Sequence, residues 1–331
     1  MKILLSLLAV CLCFAAAAGA EVVAPPIPPC EPPSAGNITY AEIVARYADP
    51  DSRFVVLEGK DGIRIHYKDE GSGPAVLLIH SSLGDLNDWD GWVATLAEDY
   101  RVVRLDLPAF GLTGPVPSGN YSVDRYLMLV DSLMDHLGIE RFAIAGVSYG
   151  GLVAFRYAGT RTDRVTALIL QNSAGIEYGG HGGTAERDRD VEATFKPTPA
   201  TRAALSASLH MVINDASKVT PELVRRKTDF ANVIGRDWES FIATRMYERG
   251  NPERVLGHVR APSLVMWGGS SKALSVSTAE AFANALSNAG TVEKIIYEGG
   301  GHLLHIEKPE QTVRDAKAFL DRQLLAKAGG P

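Results

Sequence analysis

Gly146-Val147-Ser148-Tyr149-Gly150-Gly151 is the stretch whose reading decides the fold. It follows Phe142-Ala143-Ile144-Ala145, with the composition of a buried strand, and precedes Leu152-Val153-Ala154-Phe155-Arg156-Tyr157, which reads as a helix. Ser148 therefore stands at a sharp strand-to-helix turn. Glycines two residues before and two after it let neighbouring backbone pass close without a Cβ clash. The helix that follows aims its first amides at any charge forming on the serine oxygen. This is the G-x-S-x-G pattern of a nucleophile elbow. A glycine-rich turn with an ordinary serine would share the spacing, so the flanking chain has to discriminate.

Outward from the elbow, strands alternate with helices. Phe54-Val55-Val56-Leu57-Glu58 and Ile63-Arg64-Ile65-His66-Tyr67 flank Gly59-Lys60-Asp61-Gly62, a hairpin signal. Ala75-Val76-Leu77-Leu78-Ile79 is a continuous apolar run, as expected of a central strand covered on both faces. It ends in His80-Ser81-Ser82-Leu83-Gly84-Asp85. A further strand over residues 101–106 leads into Leu107-Pro108-Ala109-Phe110-Gly111. Ser122 reads as the N-cap of a helix that places Val123, Tyr126, Leu127, Val130, Leu133, Met134 and Leu137 on one face and stops at Gly138. Beyond the elbow helix, residues 165–170 form a buried strand ending at Gln171-Asn172-Ser173. The strand pattern resumes at Leu264-Val265-Met266-Trp267, then at 292–297, and ends in Gly299-Gly300-Gly301-His302. Helices are expected near 279–286 and in the last segment, with Val313, Ala316, Phe319 and Leu320 on one face. This alternation predicts an α/β fold, a doubly wound mostly parallel sheet whose ligands bind at the carboxyl ends of the strands. His80, Ser148, Asn172, Gly268 and His302 all fall at such ends.

Residues 177–261 differ in character. They open with Tyr178-Gly179-Gly180-His181-Gly182-Gly183 and continue charged and helix-leaning, interrupted by Pro197, Pro199 and Pro221. They read as a helical cap inserted between core segments 51–176 and 262–331. At the other end, Lys2, an apolar stretch over residues 3–18, and Ala18-Gly19-Ala20 form a signal-peptide pattern with cleavage expected after Ala20. The apolar stretch is short against the ~20 residues of a stable membrane span. Residues 21–50 read as a proline-rich tether, extended to about Ala35, with a short helix over 40–47. An exported chain would keep only Cys30 of its three cysteines, and so no internal disulfide. The net charge of −6 and the lack of a basic stripe argue against a nucleic-acid partner. The histidines lack a paired metal-ligand spacing, and Gly299-Gly300-Gly301 lacks the Lys-Ser/Thr of a phosphate loop, so no metal or other cofactor is expected.

Taken together, the elbow, His80 after an early central strand, Asp106-Leu107-Pro108-Ala109-Phe110-Gly111, and Gly301-His302-Leu303-Leu304-His305-Ile306-Glu307-Lys308-Pro309 resemble the α/β-hydrolase superfamily over residues 54–327. The resemblance implies acyl transfer to a small-molecule acyl substrate, with Ser148 as nucleophile and His302 as general base. His305 is the competing histidine, read as structural and packing near Glu307. The oxyanion hole would pair the Tyr149 amide with that of Ser82. Typical members carry glycine directly after the first histidine, where this chain has Ser81.

The third triad member departs from the pattern. An aspartate usually follows the Trp-Gly strand end, but here the chain runs Trp267-Gly268-Gly269-Ser270-Ser271-Lys272, with Ser271 at the expected place. No carboxylate lies between Glu253 and Glu280. Asn172 after the preceding strand, or Ser271 itself or a water beside it, are the candidate orienters of His302. The alternative is that the acid has been lost. A wrongly held imidazole costs on the order of 10⁴ in turnover, yet about 10³–10⁴ over water survives from the remaining machinery. A nucleophilic aspartate, as in dehalogenase-like relatives, is excluded by Ser148. The cap resembles that of carbon–carbon bond hydrolases and small esterases, most clearly in Val219-Thr220-Pro221-Glu222-Leu223-Val224. It would form an apolar pocket with Trp89, Tyr149, Met211, Phe230 and Trp267 as wall residues, with core packing equally open for each. Three readings follow: an exported serine esterase, a carbon–carbon hydrolase or perhydrolase on the same Ser-His pair, and a ligand-binding pseudoenzyme.

Overall fold

The computed structural model describes residues 34–57, 62–176, 195–244 and 251–325. The expected signal peptide, its cleavage point at Ala20, Cys30, most of the hairpin turn and the Tyr178–Gly183 run lie outside them. Eight strands form one sheet: β1 Arg53–Leu57, β2 Ile63–Glu70, β3 Ala75–Ile79, β4 Arg101–Leu105, β5 Phe142–Val147, β6 Val165–Gln171, β7 Ser263–Gly268 and β8 Val292–Tyr297. Their spatial order is β1-β2-β4-β3-β5-β6-β7-β8. β2 runs antiparallel to both its neighbours, β1 and β4, and β3 to β8 run parallel to one another.

The period-2 geometry of strands divides the apolar runs between two cores. Leu77, Ile79, Ile144, Leu168, Leu170, Val265 and Trp267 face one layer. Val76, Leu78, Ala143, Ala145, Ile169, Leu264 and Met266 face the other. The first layer is closed by α3 Val123–His136, α4 Tyr149–Thr160 and α9 Ser277–Ala285, the second by α2 Asp90–Leu96 and α11 Pro309–Leu320. The Ser122 hydroxyl accepts from the Arg125 amide at the start of α3, and Gly138 at φ +67 follows its end, as the sequence predicted. The register pairs Ile79 with Gly146 and Gly146 with Leu170, so the loops after β3, β5 and β6 emerge level at one edge.

Over that edge lie α5 Arg202–Val212, α6 Pro221–Ala231 and α7 Arg236–Ala243. Thr201 and Thr220 cap the first two, and Pro221 occupies the first turn of α6, where its missing N–H is harmless. One helix within the expected cap range 177–261 lies against the core. Helix α8 Pro252–Leu256 packs on α4, where a Cβ on Gly159 would come within 2.6 Å of the Val255 carbonyl.

The expected tether over 21–50 also needs correction in its described part. Thr39 and Glu42 form a capping box for α1 Tyr40–Tyr47. Ile43 of that helix shares a small core with Leu112, Phe230 and Val233. The amides of Asn37 and Ile38 donate to the Asn232 carbonyl at 2.9 and 3.0 Å, and Ser34 donates to Asp237 at 2.7 Å. The segment packs because Ile38, Ile43 and Val44 supply an apolar face that the preceding prolines lack. No helix among the described residues is long and apolar enough to cross a membrane.

Candidate active site

Ser148 joins β5 to α4 at φ 52, ψ −116, a conformation that costs a non-glycine residue about 1–3 kcal/mol. The surrounding backbone enforces it. A Cβ on Gly146 would meet the Gly150 carbonyl oxygen at 2.2 Å, and one on Gly150 would meet the His80 and Ile79 carbonyl oxygens at 2.4 Å. The Ser148 amide donates to Gln171, and its carbonyl accepts from Leu152 and Ala174. Tyr149 opens α4, so its amide is one of the first N–H groups of the helix, for which no carbonyl of the preceding turn exists. The Tyr149 phenol is buried and donates to the Ala243 carbonyl at 3.0 Å, tying the elbow to the end of α7.

The loop after β3 runs beside the elbow. The Leu107 amide donates to His80 Nε2 at 2.9 Å, so His80 Nδ1 carries the proton and donates to the Ser81 carbonyl at 2.7 Å. The Gly84 amide closes the turn on the same carbonyl at 2.8 Å. The loop therefore accommodates a serine, Ser81, directly after His80. Ser81 is buried, and its hydroxyl has no hydrogen-bond partner among the described residues.

His302 follows β8, and its own amide and that of Leu303 donate to the Val212 carbonyl of α5. Its ring is 4% exposed, and burial lowers its pKa from 6.5 to about 4, leaving it neutral near pH 7. Burial alone drives that shift, with no contribution from a charged neighbour. Among the described residues, the side chain hydrogen-bonded to the ring is Ser271, whose Oγ lies 3.4 Å from Nδ1. Asn172, the other candidate orienter, does not hold the ring. Its Nδ2 donates to the His302 carbonyl at 2.8 Å, and its Oδ1 accepts from the Gly268 amide at 3.0 Å. One amide side chain thus ties the ends of β6 and β7 to the His302 loop, and it positions His302 through backbone alone. No hydrogen bond joins Ser148 to His302 in this structure, as is common where catalytic contacts tighten only around substrate.

The neighbours of His302 differ from expectation. His305 stacks on Trp89, with ring centroids 4.4 Å apart, rather than packing on Glu307. Burial first, and the nearby Lys227 charge second, lower its pKa to about 3. The Glu307 carboxylate instead accepts from the amides of Gly301 and Asp215, at 3.2 and 3.4 Å, and secures the turn before His302.

The proposed wall residues are dispersed. Trp267 is a core residue against Phe282, and Trp89 lies in the opposite core between Trp92 and His305. Phe230 packs with Ile43 in the small N-terminal core, and Met211 faces solvent at 58% exposure. Packing in two hydrophobic layers and a third small core accounts for Trp267, Trp89 and Phe230, and Met211 sits on the outer side of α5. Among the described residues no cluster of His, Cys, Asp or Glu has the make-up of a metal site.

Four residues of this edge carried no functional reading in the sequence: Asp85, Asp88, Arg226 and Lys227. Asp85 caps a short 3₁₀ turn, Leu86–Trp89, in a capping box with Asp88. Asp-x-x-Asp after Gly84 was a legible turn signal. The partners from α6 were not, since they lie about 140 positions away, at separations of 139 and 142.

A family profile described as alpha/beta hydrolase fold matches residues 74–192. The acetyltransferase component of the acetoin cleaving system of Pseudomonas putida is 30% identical over 256 residues, which span 76% of this chain and 64% of that protein. The solved structure of a membrane phospholipase A superposes with a TM-score of 0.66 at 27% identity, covering 82% of this chain and 85% of its own. The chain belongs to the α/β-hydrolase superfamily. A further relative of this hydrolase is the 2-hydroxy-6-oxononadienedioate/2-hydroxy-6-oxononatrienedioate hydrolase of Paraburkholderia phymatum, 29% identical over 244 residues, 66% of this chain and 78% of that protein.

Proposed function

We propose that this hydrolase is an exported serine hydrolase that cleaves a small or medium carboxylic ester, or a related acyl compound, through an acyl-enzyme on Ser148. The observation that carries the reading is the elbow: a strained serine, walled in by glycines with no room for a side chain, at the start of a helix. Backbone this constrained at a strand end is retained for function more readily than for stability.

Ser148 Oγ attacks the carbonyl carbon while its proton passes to neutral His302. The carbonyl oxygen becomes an oxyanion facing the amides of Tyr149 and Ser82. The intermediate collapses, His302 returns the proton to the leaving alkoxide, and an alcohol departs. Water then repeats the sequence on the acyl-enzyme and releases the acid. Among the described residues no carboxylate is bonded to the His302 ring, and the Ser271 hydroxyl is the side chain that meets it. A base with a pKa of about 4 accepts the serine proton less readily than one near 7, which points to slow turnover with intact binding.

Export rests on the residues 1–20 pattern. A carbon–carbon bond hydrolase on the same pair is the second reading, favoured by the named activity of the Paraburkholderia relative. Treating the purified protein with a fluorophosphonate separates these readings from a pseudoenzyme. Covalent labelling that disappears in Ser148→Ala is expected. A folded wild-type chain that never labels would sink the proposal. Turnover of p-nitrophenyl esters against a vinylogous 1,5-diketone then distinguishes ester from carbon–carbon cleavage.

A further inference from the structure

The cap and the loop bearing Ser82 meet in a buried charge cluster. Lys227 Nζ donates to Asp85 Oδ2 and to both oxygens of Asp88, each at 2.7 Å. Arg226 reaches the same two carboxylates at 3.1 and 3.0 Å. The side chains of Asp85 and Asp88 are 1% exposed, and that of Lys227 is 4% exposed. Two acids face two bases, so the cluster is neutral. The remaining carboxylate capacity is used locally: Asp85 accepts from the Asn87 amide, and Asp88 from the Asp85 amide.

The placement of this cluster matters more than its strength. A buried ion-pair group gains little over apolar packing, but losing one member strands an uncompensated buried charge. Such a cluster serves best to specify one arrangement of two elements. Here the elements are α6 of the cap and the segment running from Ser82 into the 3₁₀ turn. The same segment is held from below by Asp106, which accepts from the Leu86 amide at 2.8 Å. Helix α6 is itself held on its other side, where Asp229 accepts from Tyr47 and Arg46 of α1 at 2.7 and 2.8 Å.

We propose that Lys227, with Arg226, is a positioning residue: its bonds to Asp85 and Asp88 set the Ser82 loop in its oxyanion-binding geometry, so that seating of the cap and completion of the site are one event. This rests on the serine-hydrolase reading for its catalytic consequence, though not for its structural one. Helix α6 docks, Lys227 neutralises both acids, and the turn over 85–89 holds the loop whose His80 carbonyl abuts Gly150 of the elbow. When Lys227 is absent, one acid is uncompensated, and the turn must open to hydrate it or take up a proton.

Other groups facing the cluster leave that balance intact. His305, from the segment after β8, is uncharged near neutral pH through burial. Asp106 is engaged by the His66 ring at 2.7 Å, and Asp90 pairs with Arg104. Burial raises Asp88, whereas at Asp85 the burial effect is outweighed by Lys227 and Arg226, which hold it well below the usual range. Asp88 is therefore the acid expected to protonate once Lys227 is gone.

The test compares wild type, Lys227→Met and the charge-restoring double variant Asp88→Asn/Lys227→Met, using amide hydrogen exchange and fluorophosphonate labelling from pH 6 to 9. In Lys227→Met, amides over 82–89 should exchange at least ~10-fold faster while β5 and β6 stay protected. Labelling should slow by ~10-fold or more at pH 9 and recover as pH falls and Asp88 takes a proton. The double variant should restore both readouts at every pH. If Lys227→Met does not fold, Arg226→Met gives the same signs at smaller amplitude. Unchanged exchange over 82–89, or a double variant no better than Lys227→Met, would overturn the proposal. Altered exchange with no wild-type labelling would instead retain the coupling and reject the serine-hydrolase reading.

Discussion

Two buried histidines of this hydrolase are supported in opposite ways. His66 on β2 has its Nδ1 2.7 Å from Asp106 and its Nε2 3.0 Å from Ser52, a complete Ser-His-Asp chain of hydrogen bonds. His302 has, among the described residues, a hydroxyl at 3.4 Å. Yet Ser52 sits in an ordinary turn leading into β1, its amide bonded to Asp49, with no following helix to receive a negative oxygen. Ser148 has the strained turn, the helix start and the neighbouring loop. A triad of hydrogen bonds is therefore neither sufficient for a site nor, in its full form, present at this one. Backbone geometry around Ser148 separates the two regions, and among the described residues a carboxylate meets the imidazole in one place and not in the other.

Replacing each serine tests that contrast most severely. Ser148→Ala should lower ester turnover by about 10⁴-fold or more, whereas Ser52→Ala should leave it within about twofold, measured on the same substrate. Equal losses would erase the distinction. Next, His66→Ala should destabilise the fold by about 1–3 kcal/mol in denaturant titration, because it leaves the buried Asp106 carboxyl without its imidazole partner. Asp106 lies below the usual carboxylate range despite burial, owing to His66, so this loss should shrink as pH falls and Asp106 is protonated. A third change would make the two regions alike. Ser271→Asp should raise turnover about 10- to 100-fold, recovering part of what a poorly supported imidazole forfeits. It should also move the acid limb of the rate profile upward from about 4. A profile that stays put would mean that the introduced carboxylate does not reach the ring.

The smallest expected effect concerns pH and stability. His302 and His305 hold folded pKa values of about 4 and about 3, below the 6.5 of an unfolded histidine. The unfolded chain binds protons there that the folded chain refuses. Their contribution is full above pH 6.5 and is lost as pH falls through 6.5 toward 4, visible as a falling midpoint in urea titrations. His305→Phe should flatten part of that slope, and an unchanged slope would place the proton uptake elsewhere.

Much of this was legible in the chain itself because the signals are local. The apolar runs at 75–79 and 142–145, the Ser122 cap and the glycines flanking Ser148 each encode their structure within a few residues. Ser271 was singled out differently, by resemblance to the family pattern, which carries an aspartate at that place after Trp267-Gly268. The dispersal of Trp89, Met211, Phe230 and Trp267 was not legible, since a large apolar residue looks the same facing a pocket, a core or solvent. Nor was the task of Asn172, whose short amide could equally have met an imidazole or three backbone groups.

By itself, then, the order of residues settled which strands form, where the turn at Ser148 must be cramped, and that no acid follows β7. Those outcomes depend on sterics and periodicity over a handful of neighbours. Folding in three dimensions decided that Asn172 serves backbone, that the N-terminal segment grips the cap, and that Lys227 meets Asp85 and Asp88. Each joins groups far apart along the chain, and burial makes the pairing of charges obligatory only once the chain has brought them together.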